Sequence, residues 1–522
     1  MLYEQLTAVA SNTPDKLFVI QGQRRLTYGD IHQKTTRLAS FLAGNGLQKG
    51  DRVAILSGNS SEYIISYLAV QAAGGISVDI NFQSSASELK KIIYHCTASF
   101  LIVENKYGDM VTEILGEAKS INAIITIDAR SRGFSPLTRE KIPAQVRCMR
   151  LEDALKNGEQ RSLFPSVSGE DIAAIVYTSG TTGSPKGVML SHDNIDANAR
   201  SIIDYLHLTA DDRIMIVLPL CYSYGKSLLT THVMVGGTVV LESSFMYPTT
   251  IFNKMIQEEV TGFAGVPSTF AIMLNLSNVR KNRFPRLRYV TQAGGPMPPQ
   301  HALELSRILP GTEIYIMYGQ TEATARLTYL PPQDLYTKPG SIGKPIPGVE
   351  IELITEYGTP AKEDEEGEIV AHGKNVMAGY WNNPEETGKV LRDGKLYTGD
   401  IAKRDHEGYL YIVGRRSDMI KSGAHRISPK EIEEVILEMN EVHEVTVLGA
   451  NDDILGETVR AVIVLKEGHY QDAAKVQRHC QSKLASFKIP KEVVFVDNLP
   501  KTCSGKVRRY LLKYPSPLFK PL

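Results

Sequence analysis

Along the first 170 residues the apolar positions switch between helical spacing and short strand-like runs. Leu26-Thr-Tyr-Gly-Asp30 leads into an amphipathic stretch reaching Leu47, and Asp51 to Leu56 reads as a strand. Ser60 to Ala73 has helical spacing, Gly75 to Ile80 that of a strand, Ser87 to Tyr94 that of a helix, and Phe100 to Val103 that of a strand. Strands alternating with helices predict a mainly parallel α/β sheet. Asp128 to Gln160 is polar with little periodicity and reads as a surface excursion. Ile172 to Tyr177, Arg213 to Pro219 and Leu287 to Val290 read as further strands. In the last hundred residues, Ser428 to Ile436 starts a helix, with a cap, proline in the first turn and early acids. Val442 to Leu448, Thr458 to Leu465 and Glu492 to Val496 read as strands, and Asp472 to Leu484 as a helix. That is a compact α/β module of its own.

Size and composition narrow the picture. A chain of 522 residues is too long for one ordinary core, so two or more domains are expected. Lysine plus arginine, 58, equals aspartate plus glutamate, 58, which argues against nucleic acid or an anionic membrane as partner. The five cysteines (Cys96, Cys148, Cys221, Cys480 and Cys503) form no CxxC pair, so neither a disulfide framework nor a zinc site is expected. The opening Met1 to Leu6 lacks a secretory pattern, and no apolar run approaches the roughly 18 residues of a membrane span. A soluble cytoplasmic protein is expected.

The chemistry concentrates after the strand at Ile172. Thr178-Ser-Gly-Thr-Thr-Gly-Ser-Pro-Lys-Gly187 consists almost wholly of hydroxyls, glycines and a cation. Glycines let the backbone approach a bulky anion, hydroxyls and N–H groups donate to its oxygens, and Lys186 adds a point charge suited to polyphosphate. The spacing is not that of a Walker A loop, and neither is that of Ser504-Gly-Lys506. The bland reading is a polar loop between a strand and a helix.

The string resembles the signature of the adenylate-forming superfamily: acyl-CoA synthetases, peptide-synthetase adenylation domains and beetle luciferases. In style the chain looks most like the acyl-CoA synthetases. The resemblance covers essentially the whole chain, with strong motifs around 178–187, 318–322, 397–400 and 500–509. It implies an α/β fold with a large N-terminal domain, 1–414, of mainly parallel sheets flanked by helices. A small mobile C-terminal α+β domain, 415–522, follows. It implies ATP-dependent activation of a carboxylic acid to an acyl adenylate with release of pyrophosphate. Acyl transfer to a thiol then follows, on coenzyme A or on the phosphopantetheine of an acyl carrier protein.

Site residues follow from the same resemblance. The phosphate loop supplies Thr178, Ser179, Gly180, Thr181, Thr182, Gly183 and Lys186. Gly294 and Gly295 form the adenine-side loop, and in the Tyr318-Gly319-Gln-Thr-Glu322 string Tyr318 stacks on adenine. Thr321 donates to phosphate or acyl oxygens, and Glu322 holds Mg²⁺, which at a nucleotide needs only one or two protein carboxylates. Asp400, after a glycine turn, suits both ribose hydroxyls, and Arg415 matches a ribose or phosphate contact. Ser417 sits at the hinge position, where aspartate or lysine is usual. Ser422 and Gly423, in the string Ser422 to Arg426, resemble the loop shown to the thiol. Lys506, in Leu499 to Arg509, bridges the substrate carboxylate and the α-phosphate, whereas Lys501, Arg508 and Arg509 read as a cationic tail.

The acid pocket is implied at Tyr222, Ser223 and Tyr224. Amino-acid-activating members carry an aspartate where this chain has Ser223, so a free α-amino acid is not expected. Tyr222 and Tyr224 either wall the pocket or are core aromatics, and Lys226 is expected to face solvent. Arg326 either binds a second polar or anionic group of the substrate or is a surface arginine paired with an acid. Two other functions share the nucleotide motifs: a luciferase-like monooxygenase and a non-catalytic nucleotide-binding regulator.

Overall fold

The computed structural model describes residues 1–116, 119–128, 137, 141–158, 164–178, 185–423, 425–452, 455–501 and 507–513. Those residues form four β-sheets. In the first, the strands lie in the order Gly379–Tyr380, Lys186–Ser191, Ile172–Thr178, Ile76–Asp79, Arg52–Leu56, Phe100–Glu104, Ala123–Ile127 and Arg147–Arg150. From Ile172–Thr178 to Arg147–Arg150 every pairing is parallel. Its central strands are apolar on both faces: Val53, Ile55 and Ile102 enter one core, while Ala54, Leu56 and Leu101 enter another. Covered parallel sheets require this near-continuous burial.

The second sheet runs Lys344–Pro345, Thr328–Leu330, Glu313–Tyr318, Tyr289–Gln292, Gly262–Gly265, Arg213–Ile216, Thr238–Leu241, Leu17–Gln21 and Arg24–Thr27. The strands from Glu313–Tyr318 through Leu17–Gln21 are parallel. One hydrophobic core joins the two sheets, taking Val53 and Ile55 from the first and Ile214 and Val239 from the second. The helix Ser61–Ala72 is buried at every position but Glu62 and contributes Tyr63, Tyr67 and Leu68 to that core. Ser60 caps it by accepting from the Tyr63 N–H at 3.0 Å.

The third sheet is antiparallel and comprises Val349–Ile354, Gly367–Gly373, Lys395–Arg404, Leu391–Arg392 and Leu410–Arg415. The chain then turns through 416–419 into the fourth sheet, with strands His425–Ile427, Ile420–Ser422, Gly456–Leu465, Val442–Asp452 and Glu492–Phe495. The helices Pro429–Leu437 and Ala473–Gln481 cover that sheet through Ile432, Ile436, Val476 and Cys480, a core separate from the larger ones. The fold is therefore α/β in the large N-terminal part and α+β in the smaller C-terminal part. No helix among the described residues is long and apolar enough to cross a membrane.

Two readings need correction, and one unit was not foreseen. The polar stretch 128–160 is not only a surface excursion: it supplies the edge strand Arg147–Arg150 and the helix Leu151–Asn157. An edge strand is half solvated, which explains its weak apolar pattern. The strands flanking the candidate phosphate loop are antiparallel neighbours, Thr178 pairing with Lys186, so the bland reading of a loop between a strand and a helix does not hold. The third sheet was not anticipated as a unit.

Candidate active site

Of the expected nucleotide residues, Tyr318 and the Gly294–Gly295 loop stand at the carboxyl ends of parallel strands, where open α/β sheets bind ligands. Tyr318 ends the strand Glu313–Tyr318, and the Gly294–Gly295 loop follows the neighbouring strand Tyr289–Gln292. Gly294 has φ +89°, a conformation that favours glycine, and the Gln292 side chain donates to the Gly295 carbonyl at 2.8 Å. The Tyr318 hydroxyl donates to Asp400 Oδ2 at 2.7 Å, and Arg415 Nε donates to Asp400 Oδ1 at 2.9 Å. Asp400 and Arg415 are cross-strand partners in the third sheet. Two sheets thus meet at one buried carboxylate, 5% exposed. Burial and the neighbouring Asp400 charge push the Tyr318 phenol well above its usual range, so it stays a donor.

After Tyr318 the backbone turns sharply. A Cβ on Gly319 would meet the Ala325 carbonyl oxygen at 2.1 Å and Arg326 Cα at 2.7 Å, so no other residue fits. Thr321–Ala323 makes one 3₁₀ turn, and Thr324 follows at φ +66°. The Thr324 hydroxyl donates to the Asn375 carbonyl at 2.7 Å, while Asn375 Nδ2 donates to the Ala323 carbonyl at 3.2 Å and the Arg326 carbonyl at 2.9 Å. The Met377 N–H donates to the Glu322 carbonyl at 2.9 Å. These contacts fix where Thr321 and Glu322 point.

The Glu322 carboxylate accepts from the Tyr380 hydroxyl at 2.9 Å through Oε1. Among the described residues no group of three or more His, Cys, Asp or Glu could hold a metal. A lone carboxylate fits Mg²⁺ that completes its shell with phosphate oxygens and water, and does not fit a protein-only metal cage. Lys186 is paired with Glu386 and lies over the Tyr380 ring at 5.2 Å. Lys186 and then Lys389 hold the Glu386 carboxyl down at about 2. Tyr380 and Glu386 were missed by sequence reading. Tyr380 lies 58 positions from Glu322, so nothing local in the sequence announced the pair.

On the acid side, Tyr222 precedes the helix Ser223–Val235 and is half-buried. Ser223 Oγ lies 3.4 Å from Thr321 Oγ1, and the Tyr224 hydroxyl donates to the Thr291 carbonyl at 2.9 Å. Lys226 does not face solvent: it is buried against Asp79, over the Tyr67 ring at 4.1 Å. Arg326 is not a surface residue either, being 2% exposed with its guanidinium 4.1 Å over the Tyr224 ring.

The C-terminal residues form a second group. Ser417 lies in the turn between the third and fourth sheets, its hydroxyl donating to Asp418 Oδ1 at 3.1 Å. Ser422 ends the strand Ile420–Ser422, and Gly423, at φ +58°, donates its N–H to the Leu455 carbonyl at 2.8 Å. These two contact the fourth sheet rather than the Tyr318–Asp400–Arg415 group. Two residues of the expected cationic tail are paired: Lys501 with Glu444, and Arg509 with Asp418 at 2.9 Å and Glu433 at 2.6 Å. Ser179, Gly180, Thr181, Thr182, Gly183 and Lys506 lie outside the described residues.

The AMP-binding enzyme family model matches residues 6–381, and that of the AMP-binding enzyme C-terminal domain matches residues 431–506. The indoleacetate–CoA ligase of Aromatoleum aromaticum is 33% identical over 509 residues, covering 97% of this chain and 96% of that protein. The o-succinylbenzoate CoA synthetase of Bacillus subtilis, solved with its acyl-adenylate intermediate, has a TM-score of 0.85 at 30% identity, with 98% of each chain covered. ATP-bound MatB from Rhodopseudomonas palustris has a TM-score of 0.87 at 30% identity, again with 98% of each chain covered.

Proposed function

We propose, from the premise that this chain belongs to the AMP-binding enzyme family and is an ATP-dependent, AMP-forming acid–thiol ligase, the following division of labour. A carboxylate attacks the α-phosphate of ATP, giving an acyl adenylate and pyrophosphate, and the acyl group then passes to coenzyme A with release of AMP. The observation that carries the residue assignments is the Tyr318–Asp400–Arg415 cluster beside the Thr321–Glu322 turn.

An ionised carboxylate offers about four lone-pair sites. Tyr318 and Arg415 use one on each oxygen of Asp400, leaving two for the adjacent hydroxyls of a ribose. The Tyr318 ring and the Gly294–Gly295 loop then take the two sides of the base. Thr178, Lys186 and the hydroxyl-rich loop between them hold the phosphates. Glu322 would hold Mg²⁺, which neutralises charge on the phosphate oxygens. Thr321 donates to the reacting oxygens, and Lys506 adds a cation between the acid and the α-phosphate.

Two anions are brought together in this reaction, so preorganised positive charge is the main source of rate. A general base is unnecessary, because a carboxylic acid with a pKa near ~4 is already ionised at neutral pH. Ser223, beside Thr321, offers no charge for a substrate ammonium, so the acid is not an α-amino acid. The chain divides at 414/415, and the smaller unit turns about Ser417 between the two half-reactions. That motion exchanges Lys506 for the Ser422–Gly423 loop, which receives the thiol.

ATP–pyrophosphate exchange with a panel of acids tests the reading. Mg²⁺-dependent exchange with one class of acid is expected, followed by thioester formation when coenzyme A is added. A phosphopantetheinylated carrier protein, run in parallel, decides the acceptor. ATP binding without exchange on any acid would leave a nucleotide-binding regulator and overturn the residue roles.

A further inference from the structure

Among the described residues five large apolar side chains are at least 71% exposed: Met246, Tyr247, Leu276, Tyr357 and Tyr470. The first three come together at one corner of the large domain. Met246 and Tyr247 lead into the helix Pro248–Gln257, and Leu276 follows the helix Pro267–Asn275. The Thr249 hydroxyl, in the first turn of one helix, donates to Asn278 Oδ1 at 3.4 Å, just past the end of the other. The Phe252 and Phe284 rings meet edge to face at 5.5 Å and join the same two segments.

The charge at this corner is one-sided. From Val260 to Leu303 the chain has no aspartate or glutamate, yet it carries Arg280, Lys281, Arg283, Arg286 and Arg288. Two of these cations are met from elsewhere: Arg288 by Asp212 at 3.1 Å, and Arg280 by Glu304. Arg280 also donates to the Leu274 carbonyl at 2.9 Å, which brings it back beside Leu276. Lys281, Arg283 and Arg286 are exposed, and among the described residues no carboxylate pairs with them. Arg283 directly precedes Phe284, the ring that packs on Phe252.

Side chains about three-quarters exposed project from the surface instead of lining a groove. A groove would receive a partner's helix or peptide. Projecting apolar tips beside unpaired cations suit a layer that is apolar inside and anionic at its face.

We propose that this corner docks on a bilayer surface carrying anionic headgroups. Met246, Tyr247 and Leu276 enter the interfacial layer, while Lys281, Arg283 and Arg286 meet the headgroup anions. The balance of 58 cations against 58 anions, which argued against such a partner, does not weigh here. Attraction to a charged surface fades within a Debye length of about 10 Å, so the nearest charges set it. The proposal does not depend on the ligase reading, and its test needs neither ATP nor an acid.

The test is co-sedimentation of the full chain with vesicles, made either of phosphatidylcholine alone or of phosphatidylcholine and phosphatidylserine in equal parts. Binding to the mixed vesicles and not to the neutral ones is expected, weakening as salt is added. Lys281→Gln and Arg283→Gln should each lower the partition coefficient about five-fold. Leu276→Ser should lower it about ten-fold. Urea midpoints at the parent's value will show that these exposed substitutions leave the fold intact. If Leu276→Ser lowers the midpoint, Tyr247→Ser takes its place, with a several-fold loss expected. Failure of the parent to bind mixed vesicles would overturn the proposal, as would binding that none of these variants weakens. An acidic carrier protein that cross-links to the parent but not to Leu276→Ser, with no vesicle binding by either, would assign the corner to a protein partner instead and equally sink it.

Discussion

Lys186 shows how a single side chain can be held ready. It is proposed to hold phosphate, yet its ammonium is paired with Glu386 and rests over Tyr380, whose hydroxyl in turn reaches Glu322. To meet a phosphate, Lys186 must exchange one anion for another. The pair is about a quarter exposed on each side, 22% and 27%, so it is worth only about 0–1 kcal/mol. Glu386→Gln should therefore lower KM for ATP, by up to about five-fold. Initial rates of pyrophosphate exchange at saturating acid will measure this. A raised KM would mean that Glu386 aims the lysine instead of competing for it.

At the scale of elements, the turn between Tyr318 and Leu327 carries the most strained geometry near the site. Thr324 is β-branched and sits at φ +66°, which costs energy unless the surroundings over-determine it. Asn375 does so from the far side of the loop, accepting from the Thr324 hydroxyl through its carbonyl and bonding two carbonyls of the turn with its amide. Asn375→Ala should destabilise the large domain by about 1–3 kcal/mol in urea unfolding, the usual cost of stranding buried partners. Exchange activity should fall with it, because Thr321 and Glu322 lose their placement. Unchanged stability would show that water replaces the amide at no cost.

Two behaviours belong to the whole molecule. His232 is 1% exposed, and burial brings its pKa down to about 4; His192 is shifted likewise to about 4, also by burial first. Folded pKa values below the unfolded value near ~6.5 mean that the unfolded chain binds the extra protons. The stability is full above that value and is lost as pH falls through the window down to about 4. Urea midpoints should decline across this window, and His232→Leu should flatten the slope. No change in slope would exclude His232 as a contributor.

The other is the proposed separation of half-reactions. On the proposal that Lys506 rides on a mobile C-terminal unit, Lys506→Ala should slow adenylation by about 10²–10³, the cost of one preorganised charge contact. Thioester formation from supplied acyl adenylate should stay within about a few-fold of the parent. Single-turnover measurements read both steps on one protein, and equal losses would tie Lys506 to folding or to a shared binding step.

What the sequence determined by itself was local or periodic. The parallel strands Arg52–Leu56 and Phe100–Glu104 were legible because burial on both faces demands a continuous apolar run. The candidate nucleotide residues could be named because glycine, hydroxyl and carboxylate sit at close spacing in single strings, as in Thr178–Gly187 and Tyr318–Glu322. Pairings between distant segments were not. That Tyr318 and Arg415 share Asp400, that Tyr380 reaches Glu322, and that Asn375 braces the turn at Thr324 depend on strands meeting across two sheets. Lys226 and Arg326 make the same point, since a cation in sequence reads as a surface residue unless its burial is known. Asp79, 147 positions away, neutralises the first, while the second stacks on Tyr224 with no anion beside it among the described residues. Charge compensation in a folded chain is a matter of distance in space, and only the tertiary structure sets that distance.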